Sequence, residues 1–102
     1  MRYNKLVRDR IPEIIRAKGK TPLTHIADEE EYWMKLKEKL REEVGEFLNE
    51  DDKEELADIL EVIDAICEFK GFDKDKLESI RKRKSEERGG FKDKIILDEV
   101  KE

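Results

Sequence analysis

The chain has 102 residues, of which 50 % are charged and 36 % hydrophobic, and its net charge is −5. This length fits one domain with a small core, and the acidic balance argues against a nucleic-acid coat, which needs a basic surface. No apolar run approaches the roughly 20 residues that span a bilayer, and no signal peptide is visible. We therefore expect a single cytoplasmic domain over residues 1–102 that binds neither nucleic acid nor membrane.

The residue types that are scarce narrow the possible chemistry. The single cysteine excludes an internal disulfide and a thiolate zinc site, and the single histidine, His25, excludes a histidine-rich metal site. Gln is absent, whereas Lys, Arg and Glu are abundant, a bias typical of thermophilic proteins. No glycine-rich phosphate loop is present. Carboxylates, cations and a divalent metal remain as the candidates for chemistry.

The first part of the chain is predicted to hold one short helix between irregular segments. Residues 1–6 form a lead-in, and a helix starts at about Val7, or near Asp9 so that Pro12 falls in its first turn. Asp9 is the expected cap of this helix, which ends by Lys18. Residues 20–27 then form an extended connector.

Three further helices follow, over about Glu29–Leu48, Lys53–Lys70 and Lys74–Arg88. Asp28 and Asp73 are the expected N-caps of the first and the last of these. On the two longer helices, apolar residues recur every three or four positions and predict one inward stripe on each. These residues are Trp33, Leu36, Leu40, Val44, Phe47 and Leu48, then Leu56, Ile59, Leu60, Ile63, Ile66 and Cys67.

The tail after the last helix contains the apolar run Ile95–Leu97, which could form a short strand paired with Leu23–Ile26. The chain as a whole is predicted to be all-α, with four helices and short extended termini. A short polar break between the two longer helices makes them an antiparallel core hairpin. Because one chain offers little apolar surface, association between copies is expected.

Four carboxylates occupy the hairpin at spacings that place each pair on one helix face. Glu43 and Glu46 are three residues apart, as are Glu55 and Asp58. In a chain this acidic, such pairs arise about seven times by chance, so the spacing alone carries little information. Both pairs, however, lie beside the apolar stripe of their helix. In each pair the first residue lies about 70° and the second about 130° around the helix from the centre of the stripe, and the direction of rotation is the same on both helices. Folding the hairpin then brings Glu46 opposite Glu55 and Glu43 opposite Asp58.

Converging carboxylates repel one another unless Lys, Arg or a divalent cation neutralises them. Oxygen-only ligands favour Mg²⁺, with Mn²⁺ as an alternative. From the residues alone, a metal site and a solvated acidic edge both remain open.

At these positions the sequence resembles the all-α NTP pyrophosphatases, the MazG-like proteins related to phosphoribosyl-ATP pyrophosphohydrolases. Their signature is EExxE followed by ExxD, which here reads Glu42-Glu43-Val44-Gly45-Glu46 and Glu55-Leu56-Ala57-Asp58. YNKLVRDRIPEII at 3–15 and ERGGF at 87–91 look like the terminal signatures of a narrower branch, the predicted house-cleaning NTP pyrophosphatases. The resemblance covers nearly the whole chain. The spacer between the two motifs is shorter than in most relatives, which requires a tight turn.

The resemblance implies a MazG-like four-helix bundle that hydrolyses a modified nucleoside triphosphate to the monophosphate and pyrophosphate with Mg²⁺, as a homodimer or higher homo-oligomer. It assigns the metal to Glu43, Glu46, Glu55 and Asp58, and the orientation of the attacking water to Glu42. The cations expected on the substrate phosphates are Lys5, Arg8, Lys84 and Arg88. Trp33 or Tyr3 is a candidate to stack on the base, although the place of Trp33 on the apolar stripe favours a core role.

Two other functions stay open at this point. One is hydrolysis of phosphoribosyl-ATP, which the two terminal motifs disfavour. The other is a non-catalytic helical module for dimerisation or regulation. Release of pyrophosphate from a panel of nucleoside triphosphates would separate the module from the enzymes.

Overall fold

The computed structural model describes residues 3–102 of the chain. These residues contain four helices and no strand, which confirms the predicted all-α class. None of the helices in this range has the length and apolar character needed to cross a membrane. The helices are α1 (Ile11–Ala17), α2 (Glu29–Glu50), α3 (Lys53–Lys70) and α4 (Lys74–Arg88).

Helix α1 begins later than either predicted start. Its N-cap is Arg10, which makes no side-chain capping bond, so the expected cap at Asp9 is wrong. Pro12 determines the start, because a proline beyond the first turn would remove a backbone hydrogen bond of the helix. Residues 3–8 form no regular element, in line with the predicted lead-in, whose first two positions lie outside the described residues.

Helices α2 and α3 form the predicted antiparallel hairpin, with a turn of two residues. The Asp28 side chain caps α2 as predicted, its Oδ1 accepting from the backbone N–H of Glu31 at 2.8 Å. Helix α2 extends two residues beyond the predicted end, to Glu50. Asp51 then adopts the left-handed conformation (φ 53°), and Asp52 caps α3. This tight turn fixes which residues of the two helices lie level with each other.

The contact surface of the hairpin uses only part of the predicted stripe. Leu36, Val62 and Cys67 are buried, and so is the carboxylate residue Glu43. Leu36 and Cys67 were predicted on the inward stripe, but three of its five leucines are exposed, with Leu60, for example, 64 % accessible. Helical periodicity predicts a broad apolar stripe, and only packing decides which of its residues meet the partner helix. The exposed leucines are Leu48, Leu56 and Leu60.

The chain divides into two compact units, one ending at Gly71 and the other running from Phe72 to Glu102. In the second unit α4 has the predicted bounds, with Asp73 as its N-cap and Gly89 as its C-cap. The predicted strand pairing of Leu23–Ile26 with the tail is wrong, because both segments are irregular and Leu23 and Ile26 are each 96 % exposed. Two short strands without a third gain too little to order themselves. The assignment of residues 1–102 to one domain stays a prediction.

Candidate metal centre

Three of the four predicted metal ligands converge on one point between α2 and α3. One carboxylate oxygen from each of Glu43, Glu55 and Asp58 lies within 4.8 Å of the other two. Two oxygens bound to the same octahedral Mg²⁺ are about 3–4 Å apart, so the spacing of these three is close to that of ligands of a common cation. Helix α2 supplies the first carboxylate and α3 the other two, whose three-residue spacing places them on one face.

The burial of two of these oxygens supports a cation as the missing partner. Glu43 is only 6 % exposed. Its Oε2 and the Oε2 of Glu55 are both buried and accept no hydrogen bond from any described residue. A buried carboxylate oxygen without a partner costs free energy. The residues present therefore fit a hard divalent cation, which prefers such oxygen ligands.

The raised pKa values of two carboxyl groups in the cluster reflect their burial and the repulsion between carboxylates, which such a cation would relieve. Burial, followed by the neighbouring carboxylate of Glu46, raises the pKa of Glu55 from its ordinary 4.5 to about 7. Burial also raises the pKa of Glu43, against the opposing hydrogen bond from Lys39. Both carboxyl groups are thus harder to ionise than free ones, first because they are buried and then because neighbouring carboxylates add negative charge.

Glu46, the fourth predicted ligand, lies at the edge of this group. It acts on the pKa of Glu55 through a side-chain hydrogen bond and its charge, which places it beside that residue as the register predicted. Among the described residues, however, the group that can share one ion contains Glu43, Glu55 and Asp58 and not Glu46. Its role as a ligand stays a prediction.

The cations predicted from the N-terminal motif are paired with carboxylates of this site. Lys5 donates from Nζ to Oε1 of Glu42 at 3.1 Å, and Arg8 donates from Nη2 to Oδ1 of Asp58 at 2.7 Å. Burial works to raise the pKa of Glu42, but the hydrogen bond from Lys5 and the charge of Lys39 outweigh it and lower that pKa. Glu42 is therefore ionised at neutral pH, as a carboxylate that orients water must be.

Lys39 belongs to the site and was missed from the sequence. Its Nζ lies 3.2 Å from Oε1 of Glu43 and 3.6 Å from Oε1 of Glu42, and its side chain is largely buried. The signal was present in the spacings, since residues three and four apart on a helix are neighbours. In a chain rich in Lys and Glu, many such pairs exist and the spacing alone does not single this one out.

The aromatic candidates have partners within the protein. Trp33 stacks on Phe69 with ring centroids 5.6 Å apart and an interplanar angle of 7°. Nζ of Lys70 lies 4.3 Å from the centroid of the Trp33 ring. Tyr3 is exposed, with Nζ of Lys5 5.8 Å from its ring centroid. Trp33 on α2 thus packs against residues of α3. Stacking on a base stays a prediction for both aromatic residues.

Lys84 and Arg88 belong to the second unit. They are exposed, four residues apart on α4, and therefore share one helix face. Arg88 also lines an open cleft of about 640 Å³ between the end of α4 and the turn that follows it. Their assignment to substrate phosphates stays a prediction.

Comparisons with known proteins add one relative. No family model and no solved structure matches the chain. The chain is 50 % identical over 50 residues to an uncharacterised protein of Mycolicibacterium smegmatis, and this match covers 49 % of the chain and 51 % of the relative. The chain thus spans about half the length of the curated relative it matches.

Proposed function

We propose that the protein is an Mg²⁺-dependent nucleoside triphosphate pyrophosphohydrolase that acts on modified nucleotides. The observation that carries the proposal is the convergence of Glu43, Glu55 and Asp58, with two buried carboxylate oxygens that lack a partner among the described residues. The resemblance of the two carboxylate motifs and of both chain ends to the MazG-like enzymes gives this site its expected reaction.

In the proposed reaction a water oxygen forms a bond to the α-phosphorus while the bond from that phosphorus to the α,β-bridging oxygen breaks. The products are a nucleoside monophosphate and pyrophosphate. Glu42, kept ionised by Lys5, accepts a hydrogen bond from the attacking water and orients it. Glu43, Glu55 and Asp58 would hold Mg²⁺, which when bound supplies positive charge to the phosphate oxygens.

The test is release of pyrophosphate from a panel of canonical and modified nucleoside triphosphates in the presence of Mg²⁺. We expect release by the wild-type protein and its loss in Asp58→Asn. Glu61→Gln, an exposed change on the same helix, is the matched control and should behave as wild type. If no triphosphate yields pyrophosphate and calorimetry detects no Mg²⁺ binding, a non-catalytic helical module replaces this proposal.

The proposal includes assembly into a homodimer or higher homo-oligomer. Val44 and Leu48 on α2, and Leu56 and Leu60 on α3, are large apolar residues that remain exposed. Each pair is four residues apart, so each forms a continuous line on its helix. The buried apolar core of the described residues consists of Leu36, Val62 and Cys67, which is small for a chain of this length. A second copy that covers the exposed lines would enlarge it.

A further inference from the structure

The segment that precedes α1, residues 4–8, crosses both helices of the carboxylate site. We call it the N-terminal arm. Nζ of Lys35 on α2 donates to the backbone oxygen of Asn4 at 2.7 Å, and Lys5 of the arm donates to Glu42. At its other end, Arg8 donates to Asp58 on α3 at 2.7 Å. The arm therefore places two positive side chains directly on the acidic cluster.

Little besides these polar contacts holds the arm in place. It has no regular secondary structure, and Leu6 is its single half-buried residue. The side chains of Arg8 and Asp58 are 56 % and 38 % exposed, and ion pairs this accessible contribute little to stability. By contrast, Lys39 is largely buried and is attached through α2 itself, one turn from Glu43. The cluster thus has one fixed cation, Lys39, and two cations on the arm, Lys5 and Arg8, which can leave.

Arg8 competes with a divalent cation for the same carboxylate. Asp58 belongs to the group of three that can share an ion, and its Oδ1 already accepts a charge-assisted hydrogen bond from Arg8. A guanidinium at this distance also repels any second positive charge at the cluster. A divalent cation that binds Asp58 therefore competes with Arg8 for the negative charge of one carboxylate.

We propose that the N-terminal arm is a displaceable counter-cation: Arg8 neutralises Asp58 in the metal-free protein and leaves it when a divalent cation binds. This inference rests on the proposed function only in that it requires the carboxylate site to bind the cation. Because linkage is reciprocal, the bound arm lowers the affinity for the cation by the same factor by which the bound cation weakens the binding of the arm to the carboxylates. Once released, the planar guanidinium of Arg8 is free to form paired hydrogen bonds with a phosphate beside the site.

The test measures Mn²⁺ affinity by electron paramagnetic resonance in the wild-type protein and in Arg8→Gln. Without the competing charge, we expect Arg8→Gln to bind Mn²⁺ about two- to fivefold more tightly, the range set by the strength of an exposed ion pair. Arg16→Gln removes the same charge from the exposed end of α1 and should leave the affinity unchanged. Circular dichroism confirms that all three proteins keep their helices.

A second measurement follows the arm itself. The ¹⁵N heteronuclear NOE of residues 4–8 should fall as Mg²⁺ is added to the wild-type protein, whereas in Arg8→Gln it should be low already without Mg²⁺. Unchanged or weaker Mn²⁺ binding by Arg8→Gln overturns the proposal, as do an arm that stays ordered with Mg²⁺ and a wild-type protein that binds neither ion.

The two proposals can fail separately, because neither of these assays contains a nucleotide. If Mg²⁺ releases the arm but no pyrophosphate is produced, the counter-cation proposal stands and the proposed hydrolase activity is wrong. Pyrophosphate production with an arm that never moves would do the reverse.

Discussion

Lys39 neutralises one oxygen of the buried Glu43 carboxylate and leaves the other without a partner. Its Nζ lies 3.2 Å from Oε1, while Oε2 is buried and accepts no hydrogen bond from the described residues. One turn of α2 thus provides a fixed positive charge together with a buried carboxylate oxygen that has no partner among the described residues. This pairing keeps Glu43 inside the hairpin, since a buried carboxylate without any cation would be expelled or protonated.

The proposed hydrolase makes a first prediction about the ligands of α2 and α3. Asp58→Asn and Glu46→Gln should each abolish pyrophosphate release while the helical circular dichroism signal is retained. Even residues that only orient metal ligands cost about 10- to 100-fold in activity when they are changed, so the loss should be at least that large. A near-normal rate for either variant would show that its side chain is not part of the site.

A second prediction concerns the pH dependence of stability without metal. The pKa of Glu55 is about 7 in the folded protein, against 4.5 ordinarily. Between these values the folded state binds more protons than the unfolded chain, so the contribution of Glu55 to the free energy of unfolding falls as the pH rises. This contribution should be lost once the pH passes about 7.

The measurement is the melting temperature in EDTA across this pH range. The melting temperature of the wild-type protein should decrease as the pH rises through this range. In Glu55→Gln this decrease should be much smaller, because the group that titrates is gone. Glu54→Gln, the neighbouring exposed change, should keep the wild-type decrease. A wild-type melting temperature that rises steadily from pH 4.5 to 7 would contradict the raised pKa of Glu55.

A third prediction tests the exposed apolar lines of the hairpin. Leu60→Lys places a charge in the surface that we expect a second copy to cover, and sedimentation should then report a monomer. Burial of one leucine contributes about 1.5–3 kcal/mol, and a buried charge adds its own cost. Leu23→Lys, on the exposed connector, should leave the oligomeric state unchanged. Identical sedimentation of all three proteins would exclude this surface as the interface.

A fourth prediction separates packing from base binding at Trp33. Phe69→Leu removes the ring stacked on Trp33 and should lower the stability by about 0.5–1.5 kcal/mol beyond the change in buried area. The loss is read from urea denaturation followed by fluorescence of the single tryptophan. If Trp33 serves packing alone, the KM for the triphosphate stays at the wild-type value. A large increase in KM with little loss of stability would point to a base platform.

The sequence predicted those features whose causes are local. The bounds of α3 and α4 follow from Gly71 and Asp73, which act on the backbone beside them. The convergence of Glu43 and Asp58 followed from helical spacing and a short turn, because both constraints act along neighbouring segments of the chain.

Features that depend on tertiary packing were not predictable in this way. Leu36 and Leu48 both belong to the predicted apolar stripe of α2, and the structure buries Leu36 and leaves Leu48 exposed. The ion pair between Arg8 and Asp58 joins residues 50 positions apart, and no local pattern selects that partner among so many acidic side chains. Lys39 is a different case: its contact with Glu43 is local, but the chain has many Lys–Glu pairs at that spacing and nothing in the sequence singles this one out.

The two-residue turn also has a consequence for how the protein folds. Because only Asp51 and Asp52 separate α2 from α3, the hairpin closes over a very short loop, and chains dominated by such local contacts fold on microsecond to millisecond timescales. Closure gathers the acidic side chains in the same step, so their repulsion opposes the folding reaction itself. Added salt screens this repulsion and should therefore accelerate refolding.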